Sequence, residues 1–429
     1  MRVYIIAGEP SGDLLASGLM RALVRLVPDV RFRGVGGESM EAVIADSEQF
    51  KSLFNIAEIS VMGIFEVLPR LPLIMRRIRQ TISDIEDFHP DILVTVDSWG
   101  FVSALLTRLR KKWRRENTGQ VPVIHYVAPQ VWAWKKGRAK SVARLVDRLM
   151  TLLPNEGRHF EKYGLLSDFV GHPVVERITQ AQQKLDPDAF RATLGIPADA
   201  TVVSVLPGSR HSEVKRLIPI LKEAIEQLAD DPSIQPSNAS STKLPTLPPS
   251  QLFVVVPTVA GVEQEVRHGF EGFPLPVRVV TGESARYNAF AISNLALAKS
   301  GTVSLELVAM GVPHLIAYTF GPLSNLVARM LVKVRFANLI NILSDSEIIP
   351  EFVLGNCRPE PIAACARKLL PTSSTATTTS NAAKKQIEQA RNILSTLRLP
   401  DTLPSDRAAQ IVAETAQKAR TQKQNNHIN

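Results

Sequence analysis

The residues best suited to chemistry sit where short apolar runs end. Asp97 closes the run Ile92-Leu93-Val94-Thr95-Val96 and precedes Ser98-Trp99-Gly100-Phe101. A carboxylate there either caps the following helix, a role worth about 1 kcal/mol, or stands as a general base for an attacking hydroxyl. Three glycine turns occupy comparable places: Gly8-Glu9-Pro10-Ser11-Gly12-Asp13, Leu206-Pro207-Gly208-Ser209-Arg210, and Lys299-Ser300-Gly301-Thr302-Val303-Ser304-Leu305-Glu306. Glycine lets backbone approach a ligand closely, and a helix opening after such a turn aims free N–H groups at an anion. Arg210 offers a planar fork for phosphate oxygens, against the plainer reading of a solvated surface cation. Ser300 or Thr302 is placed to cap its helix. Glu306, one turn in, is either an acid favouring the helix dipole or an acceptor for two ribose hydroxyls. The first turn lacks GxGxxG spacing, which disfavours NAD.

The elements that must position these residues follow from periodicity. Val3 to Ala7, Asp91 to Val96, Val121 to Val127 and Arg148 to Leu153 read as buried strands, with helical patterns between them such as Leu71, Ile74, Ile78, Ile82 and Ile85. That alternation predicts a parallel sheet covered on both faces. The pattern restarts at Val202 to Leu206, and strands recur at Leu252 to Val256, Val277 to Val280, Leu295 to Ala298 and Pro313 to Ala317. Two successive doubly wound domains are expected. Their bounds are 1–175 and 176–345, with a Pro-rich insertion near 231–250 and a C-terminal block, 346–429, holding a Ser/Thr-rich stretch near 371–383 and a polar tail.

Composition narrows the class. The chain has 429 residues, 45% hydrophobic and 21% charged, enough for two cores. No apolar run reaches transmembrane length, and Val3 to Ala7 reads as a first strand rather than a signal segment. The two cysteines, Cys357 and Cys365, make neither a disulfide framework nor a zinc site and suit a reducing compartment. A net charge of +9 suits an anionic partner. No RNA-binding fingerprint accompanies it, so nucleic acid is not expected.

Residues 60–79 bear on partners. Val61, Met62, Ile64, Phe65, Val67 and Leu68 crowd together, Pro69 and Pro72 interrupt, and Arg70, Arg76, Arg77 and Arg79 follow. The prolines predict a short apolar element followed by a basic helix. Partial insertion of Ile64, Phe65 and Leu68, with Arg76 and Arg77 on anionic headgroups, would make a peripheral membrane contact. The alternative is core packing beside a solvated basic face.

Read together, Ala7 to Asp13, Val96-Asp97, His125-Tyr126-Val127-Ala128-Pro129-Gln130-Val131-Trp132-Ala133-Trp134, Gly171-His172-Pro173, Leu206 to Arg210 and Lys299 to Thr302 resemble the lipid-A-disaccharide synthase family, in its order, over residues 1–357. The resemblance implies a GT-B fold: two Rossmann-like domains facing a central cleft, with C-terminal helices packing back on the first. It implies an inverting, metal-independent transfer that needs no cofactor. UDP-2,3-diacylglucosamine would donate its sugar to the 6-hydroxyl of 2,3-diacylglucosamine 1-phosphate, giving a β-1,6 disaccharide and UDP. By residue matching, Asp97 is the base. Glu9, Ser11 and Gly12 match the first loop at the cleft, Gly208, Ser209, Arg210, Ser300, Gly301, Thr302, Glu306 and Asn341 match positions facing UDP, and all of them are the implied donor-binding residues. An anionic membrane surface and a second copy of the chain are the implied partners, at the cytoplasmic side of an inner membrane. Two positions depart from the pattern: Ser98-Trp99-Gly100 replaces an Ala-Pro-Asp, and Ala128 replaces a common serine. The alternatives are another GT-B enzyme, either a different glycolipid transferase or a UDP-sugar epimerase, and a silent nucleotide-sugar or lipid-binding protein.

Overall fold

The computed structural model describes residues 1–43, 50–60, 64–116, 121–129, 137–230, 252–319, 335–370 and 380–428, with backbone alone for 64–68 and 423–428. The chain forms two compact units, Met1–Pro173 with Leu397–Asn429, and Val174–Thr396.

In the first unit, β1 (Arg2–Ala7), β2 (Arg31–Val35), β3 (Ile92–Val96), β4 (Val123–Tyr126), β5 (Arg148–Thr151) and β6 (Leu166–Phe169) form a parallel sheet ordered β2-β1-β3-β4-β5-β6. Every residue of β3 and β4 is buried, as a parallel strand covered on both faces requires. One face is covered by α1 (Pro10–Leu26), the other by α3 (Ile64–Phe88) and α4 (Trp99–Glu116), each contributing to an apolar cluster. The order reverses between β1 and β3, and in open α/β sheets ligands bind beyond the carboxyl ends of strands at such a switch. Ala7 pairs with Val96, so the Gly8 turn and Asp97 leave the sheet side by side.

The second unit repeats the plan. β7 (Thr201–Leu206), β8 (Leu252–Thr258), β9 (Val277–Thr281), β10 (Leu295–Lys299), β11 (His314–Tyr318) and β12 (Glu351–Val353) form a parallel sheet ordered β12-β11-β10-β7-β8-β9. Its switch lies between β7 and β10, where Leu206 pairs with Ala298. The turns opening α9 (His211–Ala229) and α12 (Val303–Met310) therefore emerge as neighbours.

Two expectations need correction. Pro69 and Pro72 do not divide the basic segment; both lie inside the single helix α3. The apolar face formed by Ile74, Met75, Ile78, Ile82 and Ile85, packed into the first core, outweighs the roughly 3 kcal/mol that an interior proline costs. The C-terminal block also divides. Helices α14 (Pro359–Leu369) and α15 (Asn381–Ser395) belong to the second unit. Ile362, Ala363, Ala366 and Ala383 join that unit's core, and Gln386 hydrogen-bonds both the N–H and C=O of His314. Only residues after Thr396 return to the first unit. There α16 (Pro404–Ile428) lies on α1, places Ala408, Ile411, Val412 and Ala416 in the core, and reaches Asp91 through Arg420.

Candidate active site

The first cluster forms at the switch point of the first unit. Asp97 and Ser98 have left-handed backbone, φ 52° and 46°, and Val127, at the end of the neighbouring strand, has φ 81°. Non-glycine residues pay for such conformations, most of all a β-branched one, and strain of this kind gathers at functional sites. The Asp97 N–H donates to the Tyr126 carbonyl at 2.9 Å, tying the turn to β4. Its carboxyl is half-buried, with no cation paired to it among the described residues. Burial pushes its pKa above the usual carboxylate value, and the Ser98 backbone hydrogen bond offsets only part of that. A carboxylate that ionises less readily than an exposed one, yet is uncompensated, is a stronger proton acceptor.

Glycines fit the first turn against Ser98 and Asp97. A Cβ on Gly8 would lie 2.6 Å from Ser98 Oγ, and one on Gly12 would lie 3.3 Å from the Val96 carbonyl and 3.7 Å from Asp97 Cβ. Glu9 precedes α1, and Ser98 Oγ donates to Glu9 Oε1 at 3.3 Å, so the departure at Ser98 supplies a contact to the first loop. Ser11 is exposed on the first turn of α1. Asp13 has a structural role that the sequence did not reveal. It is buried and accepts N–H bonds from Gly37 at 2.7 Å, Ser39 at 2.9 Å and Met40 at 3.2 Å, fixing the helix at Glu38–Glu41.

On β4, beside the strand that leads to Asp97, His125 is fully buried and its pKa falls to about 3, so it stays neutral. Its Nδ1 lies 2.8 Å from Thr95 Oγ1, and the Trp99 ring stands edge-on to it at 4.9 Å. Gln130 to Trp134 lie outside the described residues. The Gly171-His172-Pro173 motif is a clasp for the returning chain. Gly171 has φ 81°, and the His172 N–H donates to the Leu397 carbonyl at 2.9 Å.

The second cluster is in the second unit. Gly208 has φ 121°, and a Cβ on it would meet Glu213 Oε2 at 2.5 Å. Glu213, buried in the first turn of α9, accepts from the Ser209 N–H at 3.2 Å and from Arg210 Nη1 at 3.1 Å, and lies 3.1 Å from Lys299 Nζ. Ser300 and Thr302 do not cap α12 as expected. Ser300 Oγ donates to the Ala337 carbonyl at 3.0 Å, and Thr302, at the cap position, has helical backbone and makes no side-chain cap bond. That leaves the opening of α12 uncapped by either hydroxyl, with Gly301 exposed beside it.

Glu306 is 4% exposed and lies between two arginines, accepting from Arg177 Nη2 at 3.3 Å with Arg286 Nε 3.5 Å away. Burial raises its pKa, while Arg286 and then Arg177 hold it down. Its Oε2 has no hydrogen-bond partner among the described residues. Asn341 is otherwise engaged. Its Nδ2 donates to the Ile349 carbonyl at 2.6 Å and Glu351 Oε1 at 2.7 Å, and its Oδ1 accepts from the Ile348 and Ile349 N–H groups at 2.9 Å each. Both donors and both lone pairs are used, so the UDP contact implied for Asn341 is corrected to a structural role.

Of the residues expected at a membrane surface, Ile64, Phe65 and Leu68 have side chains outside the described set. Arg76 is exposed. Arg77 is not free for headgroups: it forks onto Glu58 at 2.7 and 2.8 Å, donates to Gln80, and lies over the Phe54 ring. No described helix is long and apolar enough to cross a membrane.

A family model described as lipid-A-disaccharide synthetase matches residues 3–399. A lipid-A-disaccharide synthase of Paramagnetospirillum magneticum is 44% identical over 427 residues, covering 99% of this chain and 100% of that one. One from Rhodospirillum centenum is 40% identical over 96% of this chain and 93% of its own. A probable mitochondrial lipid-A-disaccharide synthase of Arabidopsis thaliana is 37% identical over 86% and 79%. Among solved structures, a UDP-GlcNAc 2-epimerase from Neisseria meningitidis bound to UDP-GlcNAc superposes with TM-score 0.55 at 12% identity, covering 97% of this chain and all of that one. A glycosyltransferase from Rickettsia africae gives 0.54 at 11% identity, with 97% and 98% covered. At such identities the likeness speaks for the fold, which is of the GT-B class.

Proposed function

The chain belongs to the lipid-A-disaccharide synthetase family, and on that premise we propose how its own residues carry the reaction. The protein is a glycosyltransferase of lipid A biosynthesis with lipid-A-disaccharide synthase activity. In the proposed chemistry, the 6-hydroxyl oxygen of 2,3-diacylglucosamine 1-phosphate attacks the anomeric carbon of UDP-2,3-diacylglucosamine. Asp97 takes the hydroxyl proton, the bond to the diphosphate breaks, and UDP leaves with the electron pair. Attack opposite the leaving group turns an α-linked donor into a β-1,6 product and needs one base. The observation that carries this reading is the Asp97 carboxyl: half-buried, unpaired with any described cation, raised in pKa, and held on a left-handed turn at the sheet's switch point.

The donor's charge has a matching place in the second unit. The uncapped opening of α12 at Ser300-Gly301-Thr302 and the Gly208-Ser209-Arg210 turn would offset the diphosphate as its charge grows, without a metal. Among the described residues no cluster has the composition of a metal site. Glu306, with one oxygen lacking a hydrogen-bond partner, is proposed to receive the ribose hydroxyls. Glu9, Ser11 and Gly12, on the first loop beside Asp97, are proposed as further donor-binding residues. Peripheral attachment to an anionic inner-membrane surface through the start of α3 completes the proposal, since both substrates carry acyl chains.

Incubating the enzyme with the diacylated donor alone, then with acceptor, tests the reading. UDP release that requires acceptor, with a disaccharide 1-phosphate in the mass spectrum, is the expected result. UDP release or sugar isomerisation without acceptor would instead favour an epimerase, the activity named for one solved structure of like fold.

A further inference from the structure

We propose that Lys299 is a further donor-binding residue, its ammonium held by Glu213 over the Ser300-Gly301-Thr302 turn to meet the donor's diphosphate. The inference rests on the reading that this turn and the Gly208 turn face UDP. Lys299 is the last residue of β10, and its Nζ lies 3.1 Å from Glu213 Oε1. The same Nζ lies 4.0 Å from where a Cβ on Gly301 would stand, so the side chain folds back across the opening of α12. Its side chain is 22% exposed, whereas that of Glu213 is 5% exposed. The carboxylate is thus interior and the ammonium reaches toward solvent.

Glu213 links the two turns. One of its oxygens receives Arg210 Nη1 as well as Lys299, and the other receives the Ser209 N–H. Gly208 is required for the fit, because a Cβ there would overlap Glu213 Oε2. Two cations on one carboxylate leave a net positive charge beside a helix N-terminus that already favours anions. An ammonium has three donors; Glu213 takes one and the Tyr318 ring lies 5.4 Å from Nζ, which leaves Lys299 able to bond phosphate oxygens as a held point charge. The competing explanation is that Lys299 serves only to neutralise a buried acid.

Calorimetry with uridine and UDP separates the two. Lys299→Met is expected to weaken UDP binding about tenfold or more while uridine affinity stays unchanged, and Lys299→Arg should retain most of the UDP affinity. The double variant Lys299→Met/Glu213→Gln leaves no buried charge unpaired, so it carries the measurement even if the single variant fails to fold. UDP affinity lower in the double variant than in Glu213→Gln alone supports the proposal, because Arg210 and Ser209 lose the same partner in both. Equal affinity in those two, or a parallel fall in uridine affinity, overturns it. If the parent protein binds UDP no better than uridine, the underlying reading of the two turns fails first.

Discussion

Gly8 and Ser98 touch so closely that a single methyl group on Gly8 would lie 2.6 Å from the Ser98 hydroxyl oxygen. Ser98 is next to the proposed base and donates to Glu9, so the contact holds the first loop against the end of β3. Gly8→Ala is expected to displace Ser98, costing about 1–3 kcal/mol of stability as overpacking does, and to lower kcat with UDP affinity intact. The double variant Gly8→Ala/Ser98→Gly removes the overlap and should recover stability. Steady-state kinetics and thermal unfolding of the three proteins check this; unchanged kcat in Gly8→Ala would detach the contact from catalysis.

Asp97→Asn is expected to lower kcat by about 10²–10⁴-fold and to raise stability at neutral pH. Burial raises the folded-state pKa of Asp97 above its unfolded value. The folded state therefore holds the proton more tightly, and stability falls as pH climbs through the unfolded and then the folded pKa. Above both values the penalty is complete, and asparagine escapes it while tolerating the left-handed turn better than most residues. In the parent enzyme, the acidic limb of kcat/KM should lie above the ordinary carboxylate range and vanish in the variant. Equal melting temperatures of parent and variant at neutral pH, or near-normal turnover, would remove the base assignment.

Asn341→Ala should act on the fold and not on the nucleotide. Four hydrogen bonds are lost around a buried side chain, which strands the Ile349 N–H, while the Ile348 N–H keeps the Ser346 carbonyl at 3.1 Å. A cost of about 3 kcal/mol or more is expected, read by chemical denaturation. A loss of UDP affinity without loss of stability would return Asn341 to the donor site.

Arg76 and Arg77 are adjacent in sequence but differ in what they hold. Arg76→Gln is expected to weaken binding to anionic vesicles by roughly 1 kcal/mol, in a salt-sensitive way, with the melting temperature unchanged. Arg77→Gln should lower the melting temperature, because Glu58 and the Phe54 ring lose their partner. The Arg77 hydrogen bond depresses the Glu58 pKa, so this contribution is present above the unfolded carboxylate pKa and is lost as pH falls through the depressed one. Vesicle sedimentation and thermal unfolding of both variants distinguish them; identical behaviour would contradict the assignment.

The places of the candidate residues at strand ends were readable because such ends are written locally. A buried apolar run followed by glycine or aspartate marks the carboxyl edge of a parallel sheet, and the switch points fall at Gly8, Asp97, Gly208 and Lys299. The roles of side chains were less readable when partners came from far along the chain. Asp13 was visible within its motif, but its three N–H donors arrive from residues 37 to 40. Glu213 carried a signal, an acid three places after the residue that precedes α9, which is the position for bonding back to the turn. Its link to Lys299 had none, because it depends on β7 and β10 being neighbours. Pro69 and Pro72 misled because local backbone cost was weighed without the core that α3 joins.

The return of α16 to the first unit has a consequence for biosynthesis. Leu19, Met20 and Leu23 share a core cluster with Ala408, Ile411, Val412 and Ala416, which are translated after the whole of the second unit. The whole of Val174–Thr396 must be translated before that side of the first sheet can be covered. At about 5–20 residues per second, this interval is roughly 10–45 s. During it, the nascent N-terminal half presents an apolar strip suited to chaperone capture. A chain stalled or cleaved near residue 396 would keep a whole second unit and an unfinished first unit, the one that carries Asp97.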